Sequence, residues 1–91
     1  MTRIVIKKII WDDWNQAHIS KHGVSRSDVE TAGENLVWHK RAGNSRYLGV
    51  GRVGTRIISL IVSRTKKTTY YLVTARDASK KERKKLHGKK S

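Results

Sequence analysis

At 91 residues the chain has room for one domain and a small core, since a chain this short buries only about 60 to 65% of its unfolded surface. With no cysteine, it is barred from a disulfide framework, a thiolate nucleophile or a zinc ribbon. Its net charge of +14 asks for an acidic partner, and the whole of it lies late in the chain: residues 1–34 hold five basic and five acidic side chains, residues 35–91 sixteen and two.

In chain order, "RIVIKKIIW" (3–11) carries the β-branched run of a first strand, stopped by Asp12. "DDWNQAHISKHG" follows as a helix, with an acidic N-cap and first turn and with Gly23 as its left-handed C-terminal residue. Trp14, Ala17, His18 and Lys21 share a face of it, with Ile19 and His22 beside them. "VSRSDVETAGEN" predicts a second, shorter helix capped by Ser25 or Ser27, with a thin apolar face of Val24, Val29 and Ala32. "LVWHK" (36–40) suits a short strand. "RYLGVGRV" (46–53), "TRIISLIVSR" (55–64) and "TTYYLVTAR" (68–76) are joined at hairpin length and predict an antiparallel meander. Ser79 and Glu82 form a capping box that opens a last helix, "SKKERKKLH", polar almost all round and so expected to be solvated or partner-bound.

The N-terminus lacks a continuous apolar run of leader type, and no stretch approaches the ~20 residues of a membrane span, so a cytosolic protein with no membrane association is expected. The expected fold class is α+β: a single domain over 1–91, order β-α-α-β-β-β-α, with an antiparallel sheet of three to four strands, helices packed on it, and a disordered basic tail over 88–91.

Three segments together, "WDDWNQAHISKHGV" (11–24), "RYLGVGR" (46–52) and "VTARDASKKERK" (73–84), resemble the BrnT-like toxins. Order and spacing agree over residues 9–86. The family pattern often has Lys where this chain has Asn15, and Asn where it has His18. The resemblance implies a RelE-like α+β ribonuclease, the toxin of a type II toxin-antitoxin system, silenced by a cognate antitoxin of BrnA-like ribbon-helix-helix type.

RNA can be cut by its own 2′-hydroxyl attacking the adjacent phosphate. Such a nuclease needs no metal or other cofactor, only alignment, fixed cations for the phosphorane charge, and an acid or base. Arg64 and Arg76 end strands, and Arg83 lies on the following helix; with His22 as acid or base they form the expected catalytic set. Lys21, Arg46, Tyr70, Lys80, Lys81, Lys84 and Lys85 are the expected RNA contacts. Strict strand alternation groups Tyr70 with Leu72, Thr74 and Arg76, which makes Tyr71 the core residue and Tyr70 the site residue. Each arginine has the alternative of a solvated strand-end cation, and His22 that of a helix-finishing residue. His18 and His22 stand at i, i+4, but no third ligand is in reach, so no metal site is expected. A non-catalytic RNA- or DNA-binding protein is the alternative function.

Overall fold

The computed structural model describes residues 4–88, and side chains as far as residue 85. Its elements are β1 (Lys8–Ile10), α1 (Asp13–Ser20), α2 (Arg26–Glu34), β2 (Leu36–Gly43), β3 (Arg46–Val53), β4 (Arg56–Arg64), β5 (Thr69–Asp77) and α3 (Lys80–Gly88). They build an α+β fold around one five-stranded sheet ordered β1-β5-β4-β3-β2. β1 pairs with β5 in parallel, and the other neighbours are antiparallel.

The expected order was one strand short. Residues 36–43 form a full strand rather than a fragment, and they cover the edge that β3 would otherwise expose. The connection is short: Ser45, at φ 57, closes a tight link without the Asn-Gly or Asp-Gly signature of such turns. β1 is shorter than read, because only Lys8–Ile10 enters the ladder; Ile4 and Ile6 precede it as an extended segment buried in the core. The basic tail expected over 88–91 lies outside the described residues, apart from Gly88, which is the last residue of α3.

Local chemistry sets the helix starts as anticipated. Asp12 and Asn15 form a reciprocal capping box at α1, as Ser25 and Asp28 do at α2. Asn15 is also fully buried. Its Nδ2 donates to the carbonyls of Ile10 (3.0 Å) and Leu72 (3.1 Å), and its Oδ1 accepts from Asp12 N–H (3.0 Å), so one amide ties α1 to the sheet with its polar atoms satisfied.

α1 and α2 lie on one face of the sheet. The core there joins Ile19, Val29 and Ala32 to Ile58, Leu60, Val62, Tyr70 and Leu72. Two glycines of "GVGR" make that packing possible. A Cβ on Gly51 would collide with the Ala32 carbonyl of α2, and one on Gly49 would stand 2.9 Å from Leu36 Cδ2. The opposite face carries Trp38, Lys40, Leu48, Val50, Ser59, Ile61 and Arg76 by register and alternation, and α3 lies over it.

The alternation in β5 is broken by a bulge. Ile61 pairs with Thr74 and Val62 with Leu72, leaving Val73 as an extra residue. Downstream of it the phase shifts by one, so Arg76 shares a face with Tyr71, not with Tyr70. The tyrosine assignment from strict alternation is therefore reversed. Tyr70 is fully buried against Tyr47, edge to face at 6.3 Å, while Tyr71 is part-exposed and donates its hydroxyl to Asp12 (2.9 Å).

Candidate nucleic-acid interface

The strand-to-helix junction at residues 76–82 holds a polar cluster built on Glu82. Its backbone N–H and Ser79 complete the α3 cap, with Ser79 Oγ accepting at 3.2 Å and Ser79 N–H donating back to Glu82 Oε1 at 2.9 Å. Ser59 Oγ of β4 donates to the same carboxylate (2.7 Å). Arg76 grips it end-on, Nη1 to Oε1 at 2.9 Å and Nη2 to Oε2 at 3.0 Å. The Arg76 guanidinium, with smaller help from Ser79 and Ser59, holds the Glu82 carboxyl down at about 2 from an ordinary 4.5. The same hydrogen bond raises the Arg76 pKa.

This arrangement leaves a definite part of Arg76 available. Of its five N–H groups, Nη1 spends two on Glu82 and the Asp77 carbonyl, and Nη2 spends one on Glu82. Nε–H and the second Nη2–H form the lateral fork, which meets no partner among the described residues, and the side chain is 44% exposed. Arg76 is thus locked in orientation by a carboxylate while presenting a bidentate phosphate-shaped fork.

A second network lies at the same end of the sheet. Arg56 donates to Asp77 (2.7 Å), Asp28 (3.2 Å) and the Gly23 carbonyl (2.9 Å), pinning the α1–α2 junction to the end of β5. Arg56, and more weakly Arg83, hold the Asp77 carboxyl below its ordinary range. Through these contacts the Gly23 turn beside His22, the Asp77 region and Arg83 belong to one rim.

The expected catalytic set is brought together only in part. Arg76 and Arg83 flank the junction, and Lys21 and His22 lie exposed at the α1 end of the rim, where His22 stacks edge-on to His18 at 5.3 Å. Arg64 is elsewhere. It pairs with Tyr70, whereas Arg76 pairs with Ser59, five positions away along β4, which is roughly 17 Å at the rise of a strand. Strand ends of antiparallel neighbours lie at opposite ends of a sheet, so Arg64, with its Nη2 on the Lys67 carbonyl (3.2 Å), joins Arg46 at the far end. Tyr70, expected as an RNA contact, is fully buried and presents no surface. Lys80, Lys81, Lys84 and Lys85 are exposed along α3. Among the described residues no group of three or more His, Asp or Glu is disposed to hold a metal ion.

Four residues of the cluster escaped the sequence reading: Ser59, Arg56, Asp77 and Glu82 as an arginine anchor. The sequence did carry a signal. Asp77 and Glu82 are the two acids of residues 35–91, and each is held by an arginine. A lone carboxylate among so many cations is expected to be paired, because an opposite charge within reach stabilises its ionised form.

No protein-family model matches the chain, and no curated protein matches it in sequence. Among solved structures, the chain is similar to the 1.1 Å crystal structure of the ribonuclease toxin BrnT of Brucella abortus, at 27% identity and a TM-score of 0.64, with 80% of this chain and 97% of that one covered.

Proposed function

We propose that this chain, whose fold is BrnT-like, is the toxin of a type II toxin-antitoxin system and cleaves RNA without a metal ion. The observation that carries this reading is the structural likeness to a ribonuclease toxin over nearly the whole length of that protein. The chemistry of the junction supports it. An arginine with a preset, unoccupied fork is what an in-line attack by the 2′-hydroxyl needs, since charge builds on the non-bridging phosphate oxygens and a fixed cation stabilises it without reorganising.

In this reading Arg76 is the catalytic cation and Glu82 its positioning residue. Arg83 contributes a second positive charge on α3, and His22 is the acid or base at the rim. Arg64 and Arg46, at the other end of the sheet, serve as phosphate contacts along a longer RNA. A carboxylate held near pKa 2 by its arginine is too weak a base to take the 2′-hydroxyl proton, so that duty does not fall to Glu82. A cognate antitoxin covers the basic half.

The test is direct. Induction of the chain alone arrests growth, co-expression of the adjacent open reading frame restores it, and the purified protein cuts RNA in the presence of chelator. Tight RNA binding with neither arrest nor cleavage would favour a non-catalytic nucleic-acid-binding protein.

A further inference from the structure

Between α3 and the sheet face beneath it lies a cleft of about 400 Å3, walled by Trp38 and Leu48 of the sheet and by Lys40, Lys81, Lys85 and Glu82. That volume is at the lower end of the range of small-molecule sites, roughly 300 to 1,000 Å3. Its chemistry is sharply divided. Trp38 and Leu48 offer an apolar wall, and Lys85 Nζ stands 4.6 Å above the Trp38 ring. The Trp38 indole N–H is buried and has no acceptor among the described residues.

Three ammonium groups line this cleft, and among the described residues none has a carboxylate within ion-pair distance. Glu82 does not balance them, because Arg76, Ser59 and Ser79 already take its oxygens. The cleft is therefore a net positive site with an aromatic wall. An acidic peptide would satisfy the lysines and leave the indole face uncovered, whereas a nucleotide supplies both a flat ring and a phosphate.

We propose that this cleft is a subsite for one nucleotide of single-stranded RNA, its base against Trp38 and Leu48 and its phosphate among Lys40, Lys81 and Lys85. On binding, Lys85 leaves the indole face for the phosphate and the base takes its place. Glu82 both walls the cleft and anchors Arg76, so a nucleotide seated here adjoins the cation assigned to cleavage. The inference rests on the RNA-directed reading of this face, and adds to it that recognition is by a base and not by charge alone.

The probe is a 2′-O-methyl hexaribonucleotide, which cannot be cut, with a series in which one position at a time is abasic. Affinity for the full chain is read by fluorescence anisotropy. One abasic position should weaken binding about tenfold, as loss of a base–aromatic stack does, and Trp38→Leu should remove that penalty. In Trp11→Phe/Trp14→Phe, where Trp38 is the remaining tryptophan, the hexamer should quench fluorescence and inorganic polyphosphate should not. The titration of the unaltered chain stands even if that variant folds poorly. Equal affinity for every abasic probe, or equal quenching by polyphosphate, would overturn the subsite. Quenching by an acidic peptide of the antitoxin with none by RNA would assign the cleft to a protein partner and overturn it too. Cleavage of unmodified RNA, measured separately, keeps the two ideas apart: base-dependent binding without cleavage defeats the ribonuclease reading alone, and cleavage without base dependence defeats the subsite alone.

Discussion

Arg76 and Glu82 form one ion pair that is structural and, in the proposed function, catalytic as well. Glu82 is 14% exposed and satisfied four times over, so its removal costs both the α3 cap and the orientation of Arg76. Its folded-state pKa lies below the ordinary value. The stability it contributes is therefore fully present above about pH 4.5 and is lost as pH falls towards 2. With allowance for the half-exposed arginine, that contribution is on the order of 2 kcal/mol. Thermal melts of Glu82→Gln should show a lower Tm at neutral pH and a flatter decline between pH 4.5 and 2 than the unaltered protein. In single-turnover cleavage the same variant should be slower by about tenfold or more while RNA affinity changes little. An equal loss in affinity and rate would reduce Glu82 to a folding role.

At the scale of elements, the sheet depends on details that differ from its overall pattern. Gly51 lets α2 lie directly on β3, so Gly51→Ala should destabilise by roughly 1 to 3 kcal/mol through backbone displacement, read as a lowered denaturation midpoint. Tyr70 buries a hydroxyl that has no partner among the described residues, and Tyr70→Phe should be neutral or stabilising by about 1 kcal/mol with RNA binding unchanged. Tyr71→Phe, which loses the bond to Asp12, should not stabilise. The cap at Asp12 and the capping box at Ser79 were legible in the sequence, and Ser25 was one of two candidate caps, because a cap is a local pattern; the return bond from Asn15 to Asp12 was missed. The full length of β2 was not legible, since Ser45 lacks a turn signature and the strand's tail, Arg41 to Gly43, is exposed and has no β-branched or aromatic residue. The Val73 bulge was equally silent: nothing in "YYLVTAR" marks where alternation slips, and that single residue decides which tyrosine faces the core and which residues accompany Arg76. The separation of Arg64 from Arg76 did follow from the antiparallel meander itself, but only once opposite chain directions are placed in register.

For the whole molecule, charge is the organising quantity. Both acids of residues 35–91 are spent on arginines, and among the described residues the lysines of α3 form no ion pair. No helix among the described residues is long and apolar enough to cross a membrane. An antitoxin covering this half should associate quickly, with a rate that falls steeply as salt is raised. Lys80→Ala/Lys84→Ala, outside the cleft, should weaken single-stranded RNA binding and make its log–log salt slope shallower by about 1.4, at roughly 0.7 per phosphate contact. The cleavage step at saturating RNA should remain. Arg76→Ala should do the opposite: modest loss of affinity, a retained fold, and a cleavage rate lower by about 100-fold or more, because a transition-state cation is worth several kcal/mol.

The decisive measurement is therefore single-turnover cleavage of saturating RNA, in chelator, by the unaltered chain and by folded Arg76→Ala, with the product ends identified. The unaltered chain should cut and leave a 2′,3′-cyclic phosphate or its opened monoester, with near-complete loss in the variant. Cleavage that stops in chelator and returns with a divalent ion, or an Arg76→Ala protein that cuts as fast once saturated, would contradict the proposed function.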